Sequence, residues 1–325
     1  MKIQIYGAGM AGCYLAHLLG DEYNFQIYDV RDEPDCRCAW GWANFSTVRE
    51  YCRKIDVNAD GYVLTTPKRA VINGIEFKVK NVVIFDKINF LKDLWQDLDV
   101  KKPEKLDADL VVDATGEKRA IFGDDDVVYY LRTFQAKTKS NLDEDCIYIY
   151  AKKFGYAWAF PLGKRRWHIG VGAFTHKQVI DLLNNFCLFY HVKMDGDCKC
   201  TSKILYDPYV SKVRRFDNTY LVAVGEAGGF ISGFGEGNTL ALETSYELYD
   251  SLKKASSLNE ACEMYERNVV KKVEWIFKQH DFVHTLNRSW VKALFKLPTI
   301  YKIASVRSIE GSKLSMLKLL WRLRK

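Results

Sequence analysis

The chain has 325 residues, of which 48% are hydrophobic and 27% are charged, as is usual for a globular protein. It is long enough for one large domain or for two closely joined ones. No uninterrupted apolar run approaches the ~20 residues that a membrane-spanning helix needs. The first residues enter a strand directly and lack the charged and apolar sections of a signal peptide. We therefore expect a cytoplasmic protein without membrane-spanning helices.

The net charge of +7 is unevenly distributed along the chain. Residues 251–325 contain 16 Lys and Arg against 6 Asp and Glu, a balance of +10, so residues 1–250 carry −3. The basic excess ends in SKLSMLKLLWRLRK, where apolar and basic residues are interleaved. Such a segment is typical of a helix on anionic lipid headgroups at the inner face of the cell membrane, and equally of a solvated helix packed on the protein. No nucleic-acid-binding module accompanies it, so nucleic acid is not an expected partner.

Nine cysteines without a secretion signal predict reduced thiols rather than a disulfide framework. Two pairs have C-x-C spacing, which differs from the C-x2-C of common zinc sites. His280 and His284 are spaced for one helical face but lack the glutamate of a zinc-protease helix. No metal site is therefore predicted, and both histidines are expected to be core or surface residues.

In chain order, the first 29 residues predict a strand, a glycine turn, a helix and a second strand. GAGMAG has the spacing G-x-G-x-x-G. In a dinucleotide-binding turn the first glycine permits the tight turn, the second lets the backbone approach a pyrophosphate, and the third brings the helix close to the sheet. An acidic residue at the end of the second strand accepts hydrogen bonds from the adenosine ribose. The predicted cofactor contacts of this unit are Gly7, Gly9, Met10, Ala11, Gly12 and Asp29.

The next segments predict an amphipathic helix and an apolar strand. INFLKDLWQDL, residues 88–98, is a helix whose apolar face should pack on the cofactor-binding sheet. LVVDATG, residues 110–116, is a strand that ends in a turn of small residues, suited to returning the chain to the cofactor. Ala114, Thr115 and Gly116 are therefore predicted cofactor contacts.

GYAWAFPLG, residues 155–163, places three aromatic rings on alternating positions of one strand. Side chains at i, i+2 and i+4 share a face, so Tyr156, Trp158 and Phe160 form one aromatic face, and two alanines keep the opposite face thin. KRRWHIGVGAF is the expected hairpin partner. The aromatic face is either part of the core or the wall of a cavity for a flat or apolar ligand.

A second glycine-dense turn follows another predicted strand late in the chain. LVAVGEAGGFISGFGEGNT, residues 221–239, supplies a strand, an acidic residue and a turn that leads into a helix. A nicotinamide site does not need this unit. FAD does, because its ribityl hydroxyls take a carboxylate and its flavin ring takes helix N–H groups. A turn of glycines that serves packing alone is the alternative. The predicted cofactor contacts here are Gly225, Glu226, Gly235, Gly237 and Asn238.

The order GAGMAG, DATG, VGEAGGFISGFGEGN resembles FAD enzymes of the p-hydroxybenzoate hydroxylase fold, and within them the geranylgeranyl reductase family of archaea and plants. YAWAFP matches the family motif Y-x-W-x-F-P at every fixed position, and CRCAWG is similar to the family's Arg-Cys loop. Asp29 stands where the family tends to have Glu, and Glu226 where it tends to have Asp. The resemblance covers residues 1–250 and implies an α/β (α+β) fold. That fold comprises a Rossmann-like FAD-binding domain with a parallel sheet, an inserted antiparallel-sheet substrate domain and a helical C-terminal region.

The resemblance also implies roles for individual residues. Arg37 and Cys38 align with the Arg-Cys of the loop, so Arg37 is a predicted cofactor contact. Cys38 either assists protonation near the flavin or is an inert buried thiol. Tyr156 is the second candidate proton source, because its hydroxyl can lie in an otherwise apolar pocket. The predicted substrate contacts are Trp40, Tyr156, Trp158 and Phe160.

The activity implied by the resemblance is FAD-dependent reduction of carbon–carbon double bonds in the geranylgeranyl chains of membrane lipids or quinones. The electron donor would be NADPH or a ferredoxin-like carrier, since no second G-x-G-x-x-G marks a dedicated NADPH domain. The alternatives are an aromatic monooxygenase of the same fold and a flavin-binding electron-relay protein without substrate chemistry.

The fold implied by the resemblance makes the FAD-binding domain discontinuous, with the substrate domain inserted into it. NEACEMYERNVVKKVEWIFKQ, with apolar residues at helical spacing, is typical of the C-terminal helices. The expected boundaries are residues 1–65, 84–120 and 215–255 for the FAD-binding domain, 66–83 and 121–214 for the substrate domain, and 256–325 for the helical region.

Overall fold

A computed structural model of the protein describes residues 1–34, 41–194, 196, 198–307 and 309–324. The strands in these ranges are β1 (Lys2–Tyr6), β2 (Asn24–Tyr28), β3 (Gly41–Asn44), β4 (Val63–Thr65), β5 (Arg69–Ile72), β6 (Ile75–Val79), β7 (Val82–Phe85), β8 (Val100–Lys101), β9 (Leu110–Asp113), β10 (Tyr130–Lys139), β11 (Cys146–Lys152), β12 (Gly155–Gly163), β13 (Arg166–Ala173), β14 (Cys200–Leu205), β15 (Val213–Phe216), β16 (Thr219–Ala223) and β17 (Ile309–Glu310). The helices are α1 (Met10–Leu19), α2 (Phe45–Arg53), α3 (Lys87–Gln96), α4 (His176–Tyr190), α5 (Asn238–Lys254), α6 (Leu258–Lys272), α7 (Glu274–Arg288), α8 (Trp290–Val306) and α9 (Lys313–Leu323).

A six-stranded sheet carries the first glycine turn, with the strand order β15-β16-β9-β1-β2-β8. Its strands from β16 to β8 are parallel, and β15 pairs antiparallel with β16 at one edge. β1 and β9 occupy the centre because their apolar side chains are buried on both faces of the sheet. α1, α3 and α5 contribute to the same core. The turns that leave the carboxyl ends of these parallel strands therefore meet at one edge of the sheet.

An eight-stranded sheet forms the second layer, with the strand order β14-β10-β13-β12-β11-β5-β6-β17. Its pairs are antiparallel except for β5 with β11. α4 packs on one face, where Ala157 and Ala159 of β12 are fully buried. A three-stranded sheet, β3-β7-β4, lies against β12, since Thr65 Oγ1 donates a hydrogen bond to the Pro161 carbonyl at 2.7 Å. The thin face of β12 is thus occupied by a helix, and its aromatic face is turned away from that helix.

The predicted architecture is confirmed: a parallel Rossmann-like sheet, separate antiparallel sheets and a helical C-terminal region. The strand predicted at residues 155–163 is β12, and its predicted hairpin partner is β13. The C-terminal pattern needs two refinements. The predicted helical segment divides into α6 and α7 at Val273. The C-terminal region also contains the short strand β17, which pairs with β6. β17 forms because the outer edge of β6 would otherwise leave unpaired backbone groups.

The C-terminal helices pack on each other and on the first core. α6 adds Cys262, Tyr265 and Val269 to the core below α5. α7, α8 and α9 form a smaller cluster of their own, centred on buried leucine and isoleucine side chains. None of the helices in the described ranges is long and apolar enough to cross a membrane.

One buried arginine joins the turn after β9 to the turn after β16. Arg119 is fully buried, and its guanidinium donates to the carbonyl oxygens of Gly123, Ser211 and Ala227. Its Nη2 also lies 3.1 Å from both carboxylate oxygens of Asp126. Burial opposes ionisation of Asp126, but hydrogen bonds from Ser211 and the nearby guanidinium groups outweigh it and lower its pKa to about 2. The hydrogen bond from Arg119 to the Ala227 carbonyl joins the two turns, and Asp126 holds the guanidinium in place.

Substituting Asp126→Asn leaves the Arg119 charge buried without a carboxylate, which we expect to cost about 3 kcal/mol of unfolding free energy. Asp250→Asn is the matched control, because Asp250 pairs with Lys254 on the helix surface at 2.7 Å. The control should lose about 0.5 kcal/mol or less. Urea unfolding at pH 7 measures both losses. Equal losses would contradict the role given to Arg119.

Candidate functional site

The first glycine turn has the shape that its sequence predicts. Gly7 has φ +100°, and a Cβ built on it would overlap the carbonyl of Ala114. A Cβ on Gly12 would overlap the carbonyl of Gly7, whereas a Cβ on Gly9 would meet nothing within 4 Å. The first and third glycines therefore serve close packing, and the second leaves an open approach to the backbone.

Two helices begin side by side at this edge without a side-chain cap. α1 starts after Gly9 and α5 after Gly237; neither helix has a capping side chain or an acidic residue in its first turn. A Cβ built on Gly225 would lie 2.9 Å from the Ala11 Cβ, so the turn after β16 touches the first turn of α1. Unsatisfied N–H groups and the positive ends of two helix dipoles are therefore close together, an arrangement suited to an anionic or electron-rich ligand.

Asp29 lies at the carboxyl end of β2 as predicted, and it is almost fully buried. Its Oδ2 accepts the Ala8 N–H at 2.8 Å, and both its oxygens accept hydrogen bonds from the Arg31 side chain. Burial opposes ionisation, but these hydrogen bonds outweigh it and lower the pKa of Asp29. Arg31 was not predicted from the sequence, although its position two residues after the strand-end acid was a usable signal.

Glu226 lies in the turn after β16, beside the turn after β9. Its Oε1 accepts the Leu205 N–H at 3.0 Å, and its Oε2 lies 3.9 Å from the position of a Cβ on Gly116. Asp113 shapes the neighbouring turn by accepting hydrogen bonds from the Thr115 N–H and hydroxyl, at 3.0 and 2.6 Å. Burial raises the pKa of Glu226 to about 7. The turn of Ala114, Thr115 and Gly116 and the carboxyl of Glu226 thus share one edge of the sheet.

The aromatic face of β12 exists as predicted. The ring centroids of Tyr156 and Trp158 are 5.4 Å apart, and those of Trp158 and Phe160 are 6.0 Å apart. Gly172 and Gly170 of β13 lie opposite the first two rings. A Cβ on Gly170 would overlap the Trp158 indole, so this ring is accommodated only because its cross-strand neighbour lacks a side chain.

The aromatic face reaches the second glycine turn. A Cβ on Gly235 would overlap the hydroxyl of Tyr156, so the two predicted site residues are in direct contact. Trp158 is also buried, and its Nε1 has no hydrogen-bond partner among the described residues. A buried donor without a partner is costly in a native protein, and it marks a place where a bound molecule or water can accept a hydrogen bond.

His168 of β13 completes this face and was not predicted from the sequence. It lies directly opposite Phe160, and its ring centroid is 6.0 Å from the Phe160 ring and 6.1 Å from the Trp158 ring. Its Nε2 lies 2.9 Å from Gln135 Oε1. Burial lowers the pKa of His168 to about 3, so the imidazole is neutral. The signal for it was the hairpin register, which places this histidine on the side of the rings.

Three predicted site residues, Arg37, Cys38 and Trp40, lie outside the described residues. The described chain resumes at Gly41, where a Cβ would come within 2.5 Å of the Asn238 side-chain nitrogen. β3 therefore starts beside the first residue of α5. Gly235 and Gly237, in the turn before α5, adjoin the aromatic face and the helix start respectively. The described predicted residues converge on the edge of the parallel sheet and the end of β12 nearest to it.

No family model matches the chain. An uncharacterised protein of Methanocaldococcus jannaschii is 24% identical over 344 residues, covering 88% of this chain and 92% of that protein. Among solved structures, a geranylgeranyl bacteriochlorophyll reductase-like protein of Thermoplasma acidophilum has a TM-score of 0.73 at 17% identity, over 98% of this chain and 95% of that one.

Other solved structures with this fold are named as flavin-dependent. A probable FAD-dependent monooxygenase of Pseudomonas aeruginosa has a TM-score of 0.66 at 16% identity, over 89% of this chain and 96% of that one. HpxO of Klebsiella pneumoniae, solved in complex with FAD, has a TM-score of 0.63 at 14% identity, over 100% of this chain and 94% of that one. The chain therefore has a fold that occurs in FAD-dependent oxidoreductases, as its motifs predict.

Replacing Gly170→Ala should destabilise the protein by about 1–3 kcal/mol, because the new methyl group would displace the Trp158 indole. Gly61→Ala is the control, since Gly61 is exposed and a Cβ there meets nothing within 4 Å. The control should change the stability by about 0.5 kcal/mol or less. Urea unfolding and near-ultraviolet circular dichroism measure the two effects. A Gly170 variant as stable as the control would refute the close contact between the ring and the strand.

Proposed function

We propose that the protein is an FAD-dependent oxidoreductase that reduces carbon–carbon double bonds in the isoprenoid chains of membrane lipids or quinones. The observation that carries the proposal is the contact of the Tyr156 hydroxyl with Gly235, which joins the aromatic face to the second glycine turn. A flat cofactor at the helix starts and an apolar chain along the rings would then be neighbours. The likeness to a geranylgeranyl reductase-like protein over nearly the whole chain supports the choice of substrate.

We expect FAD to contact the described residues as follows. The open face of Gly9 and the uncapped start of α1 would take the pyrophosphate, and Asp29 would take the adenosine ribose. Glu226 would accept hydrogen bonds from ribityl hydroxyls beside the turn of Ala114, Thr115 and Gly116. The start of α5, with Gly235, Gly237 and Asn238, would face the flavin ring. In the proposed site Arg37 would add a further contact.

Reduced FAD, when bound, supplies a hydride equivalent to one carbon of the double bond. The chain must then supply a proton to the other carbon, hold the alkene in line and exclude water. Trp158, Phe160 and Tyr156 provide the apolar wall. Burial raises the pKa of Tyr156 far above its ordinary value, so its hydroxyl is protonated at neutral pH and can donate. His168 is neutral and buried, which keeps fixed charge away from the alkene.

The remaining predicted roles belong to the same proposal. Cys38 is the second candidate proton source, and Trp40 would extend the aromatic wall. NADPH or a ferredoxin-like carrier would reduce the flavin. A basic C-terminal region suits an acidic carrier by charge complementarity.

The decisive experiment is reduction of the FAD-loaded protein without oxygen, addition of a geranylgeranyl-bearing lipid, and mass measurement of the product. A gain of two hydrogens per reduced bond is expected. Tyr156→Phe should bind FAD normally and slow product formation by about 10²–10⁴-fold if its hydroxyl donates the proton. Tyr249→Phe, on α5 beside Tyr23, is the control and should keep the wild-type rate.

An aromatic monooxygenase is the second candidate, favoured by the likeness to a probable FAD-dependent monooxygenase. The two functions differ in air. A monooxygenase consumes oxygen rapidly when its substrate is added and returns a hydroxylated product. An unchanged lipid under anaerobic conditions, with FAD bound and reduced, together with aromatic-stimulated oxygen uptake, would replace the reductase proposal by this one.

We propose further that α8 and α9 rest on the inner face of the cell membrane, where an isoprenoid lipid would be found. Phe295 is 82% exposed and Trp321 is 52% exposed. Arg324 lies over the Trp321 ring, 4.8 Å from its centroid. The α8–α9 surface combines exposed apolar and basic side chains suited to anionic headgroups. Its members are Val291, Lys292, Phe295, Lys302, Val306, Lys313, Leu314, Leu317, Lys318, Trp321 and Arg324.

Leu317→Glu should reduce sedimentation with phosphatidylglycerol vesicles at least fivefold, because it places an acidic group in the α8–α9 surface. Phe216→Glu is the control, since Phe216 is 70% exposed on β15 and lies outside that surface. Binding of the wild type should also fall as salt rises and be weak on phosphatidylcholine. If both variants sediment like the wild type, the α8–α9 surface does not contact the membrane.

A further inference from the structure

The glycine turn before α5 is closed by its own backbone. The Ser232 N–H donates to the Glu236 carbonyl at 2.8 Å, and the Gly235 N–H donates to the Ser232 carbonyl at 2.9 Å. The Ser232 hydroxyl oxygen accepts the N–H groups of Phe234 and Glu236. Residues 232–236 are thereby folded into a compact loop just before the start of α5.

Two buried side chains hold this loop from outside. His280 Nε2 lies 2.8 Å from the Ile231 carbonyl oxygen, and the Tyr206 hydroxyl donates to the Gly233 carbonyl at 2.6 Å. His280 is 0% exposed and Tyr206 is 3% exposed. A buried carbonyl that loses its donor is left without water to replace it. Removing either donor should therefore cost more unfolding free energy than removing an exposed hydrogen bond does.

The hydrogen bond to Ile231 fixes the protonation of His280. A carbonyl oxygen only accepts, so the proton is on Nε2 and the Nδ1 is unprotonated. This Nδ1 is buried and has no hydrogen-bond partner among the described residues. Burial lowers the pKa of His280 to about 4, with the neighbouring His284 and Asp207 acting in opposite directions. The histidine is therefore a neutral donor at neutral pH.

The two anchors support each other and reach the aromatic face. The ring centroids of His280 and Tyr206 are 4.3 Å apart. Burial and the neighbouring Tyr156 hydroxyl both raise the pKa of Tyr206, so it remains a donor. A Cβ on Gly233 would lie 2.8 Å from backbone and side-chain atoms of Gln279, so α7 packs directly on the loop. The loop is held between α7 on one side and Tyr156 on the other.

We propose that His280 and Tyr206 are positioning residues: through the Ile231 and Gly233 carbonyls they fix the loop that sets the start of α5. The part of this inference that concerns the flavin rests on the proposed function, because it places the flavin ring at that helix start. Neither residue needs to touch the flavin. Their contribution is to hold N–H groups in place before the cofactor arrives, so that binding does not have to order the loop.

The test uses three substitutions. His280→Phe keeps an aromatic ring beside Tyr206 and removes the donor, Tyr206→Phe removes only the hydroxyl, and His280→Gln returns an N–H donor near the Nε2 position. The first readout is amide hydrogen exchange of residues 232–237 in the protein without cofactor. We expect exchange to accelerate about tenfold or more in both phenylalanine variants, and to stay closer to wild type in His280→Gln.

The second readout is FAD affinity, measured by quenching of flavin fluorescence, with the visible spectrum of the bound flavin. Each phenylalanine variant should raise the Kd about tenfold and alter the spectrum, and His280→Gln should partly restore both. His176→Phe, an exposed histidine on α4, is the control. Wild-type exchange and wild-type Kd in both phenylalanine variants would overturn the proposal. If the wild-type protein bound no FAD, the proposed function would fail, and accelerated exchange would still establish the anchoring.

Discussion

The structure depends on two close contacts at which a glycine leaves no room for a side chain. Gly7 lies on the Ala114 carbonyl, and Gly225 lies against Ala11. The first contact sets the distance between neighbouring parallel strands where their turns emerge, and the second sets α5 beside α1. A methyl group on Gly7 would displace the turn after β9, and a methyl group on Gly225 would push the turn after β16 away from the first turn of α1. The electrostatic character of the site is therefore a consequence of packing.

Small residues also determine the packing of the eight-stranded sheet. β12 is asymmetric: alanines on one face leave room for α4, and on the other face the Trp158 ring fits because Gly170 of β13 has no side chain. The rings are held by their own strand partner, and they end against the loop that precedes α5. This makes the aromatic face continuous with the edge of the parallel sheet that carries the glycine turns, although the two belong to different sheets. Arg119 serves the same edge from behind by tying two of its turns together.

Local periodicity was sufficient for much of this structure. The glycine spacing of the first turn, the alternation in β12 and its hairpin with β13 all follow from short segments, because each is decided by contacts between near neighbours. The roles of His168 and His280 were missed because they come from tertiary partners. Arg31 was missed although its partner, Asp29, lies only two residues earlier in the chain. His168 matters through strand register, and His280 through a carbonyl almost fifty residues earlier in the chain. The division between α6 and α7 was not predicted because no glycine or proline marks it in the sequence.

β17 illustrates how far apart such partners can be. Ile309 pairs with Val79, so the outer strand of the eight-stranded sheet is supplied by a segment more than 200 residues later in the chain. During synthesis, β6 cannot pair with β17 until nearly all the helices have been made, so one row of its amide and carbonyl groups lacks its strand partner until then. An unpaired strand edge of this kind is a site for association with other chains. Because β17 lies between α8 and α9, the edge of β6 is covered only after the C-terminal segment has been synthesised.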